Sequence, residues 1–148
     1  MQTINQVMTP DIVIARPEQT IADAARMMAK ADIGSLPVGD DDRLVGMLTD
    51  RDIVIRAIAE GKDGTQVRAQ DIMTVDVYTA HPNDRVVDVI RKMGQKQVRR
   101  IPVCNENGYL VGMISMADVA VETREDQELA DALEEISKGT SFWNRIFG

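Results

Sequence analysis

Gly46-Met47-Leu48-Thr49-Asp50-Arg51-Asp52 and Gly112-Met113-Ile114-Ser115-Met116-Ala117-Asp118 are two versions of one phrase, Gly-x-x-(Thr/Ser)-x-x-Asp. Outward from it the likeness continues in order. Leu44-Val45 precedes the first and Leu110-Val111 the second. Before them, Leu36-Pro37-Val38 answers to Ile101-Pro102-Val103, Met28 to Met93 and Pro17 to Pro82. Val7-Met8-Thr9-Pro10-Asp11-Ile12-Val13 likewise returns as Ile72-Met73-Thr74-Val75-Asp76-Val77-Tyr78. Matches kept in register over that length make the chain two copies of one unit, and a repeat governs every later step of the reading.

Within each copy the local signals alternate. Ile12-Val13-Ile14 is a short β-branched run, and Thr20 stands three residues before Asp23 as a helix cap. Ile21, Ala24, Ala25, Met28 and Ala29 then recur at helical spacing, with Gly34 as the stop signal. Ser35–Val38 and Leu44–Leu48 read as a hairpin around the acidic tip Gly39-Asp40-Asp41-Asp42. In the second copy the tip is Asn105-Glu106-Asn107-Gly108, where Asn-Gly suits a positive φ. A second helix is expected from about Asp50 to Glu60, and from about Met116 in the second copy.

The expected architecture is therefore α+β, with β-α-β-β-α given twice. Residues 1–62 form the first repeat, 63–121 the second, and 122–148 an acidic helix with an aromatic tail. Gly61-Lys62-Asp63-Gly64-Thr65 is the short polar joint. One copy alone buries too little surface to be secure, so the repeats are expected to pack sheet to sheet about a pseudo-twofold axis, with ligand clefts between them.

Composition removes several function classes. The 148 residues carry 17 Lys+Arg against 24 Asp+Glu, net −7, which disfavours nucleic acid held through phosphate neutralisation. Seven of the acids fall in 122–148, so the body is closer to balance and can still hold a local basic site. Cys104 is the only cysteine and His81 the only histidine, which takes the usual parts from zinc hydrolases and Cys–His proteases. No run is long and apolar enough for a membrane span, and Met1-Gln2-Thr3-Ile4-Asn5 has no secretion-signal character, so a cytoplasmic protein is expected. His81 reads as a loop residue, Cys104 as a buried small residue, and Asp40-Asp41-Asp42 as a solvated tip without the spacing of a calcium loop.

The repeated phrase carries the chemistry. Thr49 or Ser115 falls where a strand gives way to a helix and can cap backbone N–H groups or offer its hydroxyl to a ligand. Asp52 or Asp118 follows one helical turn later on the same side, where a carboxylate can accept the two hydroxyl protons of a ribose diol. The same spacing also makes an ordinary capping box, in which the acid serves only its own helix.

With these residues in place the chain resembles the cystathionine-β-synthase (CBS) domain pair, the Bateman regulatory module, over residues 3 to about 121. Val7-Met8-Thr9-Pro10, the Leu36-Pro37-Val38 and Ile101-Pro102-Val103 strands and the two Gly-x-x-(Thr/Ser)-x-x-Asp turns carry the resemblance. It implies a disk with two sites for adenosine compounds such as AMP, ADP, ATP or S-adenosylmethionine, with no cofactor. One site would use Asp118 and Ser115 for the ribose and phosphate, Thr9 and Ile14 for the adenine, and Ile33 and Met113 against its faces. Its pseudo-symmetric counterpart would use Asp52 and Thr49 with Thr74, Thr79, Val98 and Met47. A homodimer formed through helices and an unidentified client protein follow from the same resemblance.

Arg99-Arg100 stands where the first copy has Gly34-Ser35. Side chains of neighbouring strand residues point to opposite faces, so one arginine can serve each site, and guanidinium groups favour phosphorylated ligands. The sites are expected to be unequal, because Met116-Ala117 replaces Asp50-Arg51 and Arg85 replaces the capping Thr20. The leading expectation is a stand-alone regulatory module whose occupancy reaches a client protein by conformational change. A ligand-free oligomerisation module is the alternative. A nucleotide hydrolase ranks behind both, since the sequence shows no Walker loop, metal cluster or nucleophile with a partner base.

Overall fold

In a computed structural model, residues 2–122 together with 127, 130–132 and 134 are described. Thr3 opens a single helical turn, α1 (Ile4–Val7), as half of a capping box with Gln6. Helix α2 (Ile21–Ala31) begins where the Thr20 hydroxyl accepts the Asp23 N–H at 3.1 Å, as the sequence led us to expect. It leads to the antiparallel hairpin β1 (Ser35–Asp40) and β2 (Arg43–Thr49). Helix α3 (Asp50–Ile53) continues without a break into a π-helical turn over Val54–Ile58, closed by Gly61 at φ 70°. The second copy repeats this order with α4 (Ala69–Ile72), α5 (Val86–Lys96), β3 (Arg100–Cys104), β4 (Leu110–Ser115) and α6 (Met116–Glu122). The result is a mixed α/β chain with two two-stranded sheets.

The expected opening strand of each copy is reduced to one residue. Ala15 makes a single parallel bridge to Val38 and Ala80 one to Val103. Proline explains both. The Ala15 N–H donates to the Pro37 carbonyl and the Gly39 N–H to the Ala15 carbonyl. Extending the ladder one way requires an N–H from Pro37, and the other way an N–H from Pro17, and proline has none. Pro102 and Pro82 occupy the corresponding positions around Ala80.

Helix α2 ends before the glycine that the sequence offered as its stop. Asp32 adopts the left-handed conformation at φ 55°, and Gln97 does the same at φ 56° after α5. The short polar side chain of Asp32 tolerates that conformation, so its stop needs no glycine. Gly34 answers a different demand: a Cβ there would lie 2.9 Å from Asp50 Oδ2. The first hairpin turns on Asp41 and Asp42, both at positive φ, whereas the second uses Gly108 alone, with Asn105 Oδ1 accepting the N–H groups of Asn107 and Tyr109.

The chain divides into two compact units that exchange their leading arms. One unit comprises residues 11–78 and 104–110, the other 1–10, 79–103 and the chain from 111 onward. In the first, Ile21, Ala24, Leu36, Val38, Leu48 and Ile72 form a buried apolar cluster, and α4 from the second copy packs on β2. In the second, Ile4, Ile90, Met93, Ile101 and Ile114 are buried, and α1 from the first copy packs on α6. The expected acidic helix and aromatic tail, 122–148, fall outside the described residues apart from 122, 127, 130–132 and 134.

Candidate functional site

Strand β4 delivers Ser115 to the start of α6 with only 8% of its surface exposed. Its Oγ accepts the Asp118 N–H at 3.2 Å. Thr9 reaches this place because Gly112 has no side chain. A Cβ on Gly112 would stand 2.8 Å from Met8 Sδ and 3.0 Å from the Thr9 carbonyl oxygen. The arm therefore lies flat on β4, where Thr9 and Met113 exchange backbone hydrogen bonds of 2.8 and 2.9 Å. From that position the Thr9 hydroxyl donates to Asp118 Oδ2 at 3.3 Å. The backbone of Arg99 borders the cluster, its carbonyl accepting the Met116 N–H at 3.0 Å. Thr9, Met113, Ser115 and Asp118 thus meet in one unit with Arg99 at its edge. Thr9 and Arg99 are exposed and Asp118 is half-buried.

The first copy builds the same scaffold and finishes it differently. Gly46 lets Met73 and Thr74 approach to where its Cβ would be 2.7 Å from Met73 Sδ and 2.9 Å from the Thr74 carbonyl oxygen. Thr74 and Met47 exchange backbone hydrogen bonds of 2.8 and 2.9 Å. Here, however, the acid serves its own helix. The Thr49 hydroxyl accepts the Asp52 N–H at 3.0 Å, and Asp52 Oδ2 accepts the Thr49 N–H at 3.0 Å, which completes a capping box. Asp52 Oδ1 lies 3.7 Å from Arg56 Nε, and Arg56 Nη1 donates to the Ile72 carbonyl at 2.9 Å. Asp50 folds over Gly34, its N–H donating to the Gly34 carbonyl and its Oδ1 accepting the Arg51 N–H.

Ile14, which covers Gly39, and Ile33 fall in the unit that holds Asp52. Thr79, Val98 and Arg100, all exposed, fall in the unit that holds Asp118. The sequence reading missed the role of Met8 and Met73, whose thioether sulfurs press on the two motif glycines. Their signal was present, since both precede the repeated threonine. It also missed the Asp52–Arg56 pair, although the spacing of four residues along a helix is a standard one for ion pairs.

Elsewhere, burial pushes the Cys104 thiol up, as expected of a buried small residue. No group of three or more His, Cys, Asp or Glu able to hold a metal occurs among the described residues. Among them, no helix is long and apolar enough to cross a membrane.

Comparison with known proteins agrees with this construction. YhcV of Bacillus subtilis, a CBS domain-containing protein, is 36% identical over 137 residues, 93% of this chain and 96% of its own length. The crystal structure of hypoxic response protein I, which holds two coordinated zinc ions, superposes with a TM-score of 0.75 at 39% identity, covering 82% of this chain and 99% of that one. The corresponding curated protein of Mycobacterium tuberculosis is 40% identical over 121 residues, 81% of this chain and 84% of its own length. The CBS domain pair of protein MJ0100, in complex with 5′-methylthioadenosine and S-adenosylmethionine, superposes with a TM-score of 0.74 at 28% identity, covering 82% of this chain and 95% of that one. The family profile of the CBS domain matches residues 4–58 and again 69–125, one match to each copy of the repeat. The chain belongs to the CBS-domain family, as a tandem pair of CBS repeats.

Proposed function

We propose that the chain is a regulatory module that binds an adenosine-containing ligand at Asp118 and reports its occupancy to another protein. The observation that carries this reading is the contact between the Thr9 hydroxyl and Asp118 Oδ2. It shows a carboxylate turned toward a second segment of chain, with the Ser115 hydroxyl beside it and open surface at Thr9. Such a carboxylate can exchange the threonine proton for the two hydroxyl protons of a ribose 2′,3′-diol. The Met113 side chain, half-buried on the adjoining strand, offers a polarisable surface to an aromatic base. The adenosine compounds held by the 28% identical pair of MJ0100 support the same ligand class. Arg99 and Arg100, both exposed, add a preference for phosphorylated members of it, such as AMP, ADP or ATP.

A homodimer fits the surface of the unit that holds Asp52. Val54, Ile55 and Ile58, which share one side of the π-helical turn, are 54%, 49% and 60% exposed. An apolar face of this kind is costly to leave in water, and a second copy would cover it.

The ligand reading is tested by thermal melting with AMP, ADP, ATP, S-adenosylmethionine and 5′-methylthioadenosine in turn. Ligand at about 100 times its dissociation constant stabilises the native state by about 2.7 kcal/mol, an upward shift on the order of 5–10 °C for a chain of this size. The expected result is such a shift with at least one compound and its loss in Asp118→Asn. Unchanged midpoints with all five would favour a module that only assembles.

A further inference from the structure

We infer that Arg56 locks the first copy's acid, so that the chain takes up one adenosine ligand at Asp118 and none at Asp52. This deepens, and rests on, the reading proposed above. The two half-sites share a backbone scaffold down to the paired hydrogen bonds, Thr9 with Met113 and Thr74 with Met47. They differ in what holds the carboxylate. Asp52 spends Oδ2 on the Thr49 N–H and has Oδ1 3.7 Å from the Arg56 guanidinium, with its side chain 12% exposed. Asp118 gives Oδ2 to the hydroxyl of Thr9, a neutral donor that a ribose hydroxyl can replace.

The lock is held from both ends. Arg56 Nη1 donates to the Ile72 carbonyl at 2.9 Å, tying the guanidinium to the last residue of α4, in the arm that carries Thr74. Arginine presents several donors in a fixed fork, so one side chain can hold the carbonyl and face the carboxylate together. A ribose arriving at Asp52 would find Oδ2 already engaged by the capping N–H and would have to displace a cation from Oδ1, and it carries no charge to compensate that loss. The π-helical turn over Val54–Ile58, in which the Ala59 N–H reaches back to the Val54 carbonyl, includes Arg56. In the second copy the residue four places after the acid is Glu122, which cannot form such a pair. Arg56 is thus the charged part of an asymmetry that also includes the Thr49 cap and the Thr9 contact.

Calorimetric titration with 5′-methylthioadenosine, an uncharged probe, tests this on the full chain. Wild type should bind one equivalent, Asp52→Asn should do the same, and Asp118→Asn should lose binding at least tenfold. Adding Arg56→Gln to Asp118→Asn should restore one equivalent, which Asp52→Asn should remove again. Should Arg56→Gln lower the melting midpoint, Arg56→Met keeps the apolar stem and removes only the guanidinium. Two equivalents in wild type, one of them lost in Asp52→Asn, would overturn the inference and leave the ligand reading standing. So would a silent Asp118→Asn/Arg56→Gln chain beside a binding wild type. Silence in wild type and in every variant would overturn the ligand reading and the lock with it.

Discussion

At the scale of single residues, the chain shows how one motif takes two states. Gly-x-x-(Thr/Ser)-x-x-Asp was legible in both copies, and so was its double meaning as a ribose clasp or a capping box. The sequence could not assign one meaning to each copy. That choice depends on whether the carboxylate turns inward to its own Thr49 N–H, as Asp52 does, or outward to Thr9, as Asp118 does. Side-chain rotation of this kind follows from neighbours brought in by the fold. Arg99 and Arg100 are expected as phosphate ligands from their charge, their place opposite Gly34-Ser35 and strand alternation, and both are exposed. If they act so, Arg99→Ala or Arg100→Ala should weaken AMP by about ten- to a hundredfold, the worth of one charge-assisted hydrogen bond, and leave 5′-methylthioadenosine nearly unchanged. Equal losses for both compounds in paired titrations would remove the phosphate role.

At the scale of elements, the hairpins, both long helices and the Thr20 cap were readable from periodicity and turn chemistry. The opening strands were not, because a β-branched run such as Ile12-Val13-Ile14 states only a preference. The ladder is cut short by the prolines at 17 and 37, residues far apart in sequence that meet only in the sheet. The end of α2 differs from the expected one for a related reason. Gly34 looked like a terminator, yet its missing side chain makes room for Asp50, while Asp32 ends the helix. The motif glycines likewise make room, each for a methionine and the carbonyl of a following threonine. Gly112→Ala should push the Met8–Thr9 arm from β4, cost about 1–3 kcal/mol in urea unfolding and weaken ligand uptake with it. Gly46→Ala should cost similar stability through Met73 and leave ligand uptake at the wild-type level. A Gly112→Ala chain that binds as wild type would show that Thr9 takes no part.

At the scale of the whole molecule, the duplication was plain from the residues, whereas the exchange of arms came only with the family resemblance, which put Thr9 with Asp118 and Thr74 with Asp52. Nothing in residues 1–10 announces that they will pack with the second copy, since a repeat fixes likeness and leaves partnership to the fold. The exchange means that each Gly-x-x-(Thr/Ser)-x-x-Asp turn is faced by the threonine of the other copy. Under the proposed function, occupancy at Asp118 would act directly on the Thr9 arm, and a ligand that prefers one arm position would shift the population toward it. The exposed Val54, Ile55 and Ile58 are where the proposed dimer would form. Ile58→Asp, placing a charge on a residue 60% exposed, should turn a dimer into a monomer by light scattering at micromolar concentration, with little change in melting of the monomer. A wild-type chain that is monomeric at the same concentration would remove the dimer from the account.

Under the proposed function, Asp118 holds the sugar of an adenosine compound. A crystal structure of the chain grown with 5′-methylthioadenosine tests it most directly. The account predicts both ribose hydroxyls within hydrogen-bonding distance of the Asp118 carboxylate, with the Thr9 hydroxyl no longer its sole visitor. A ligand seated elsewhere, with the Asp118–Thr9 contact undisturbed, would contradict it.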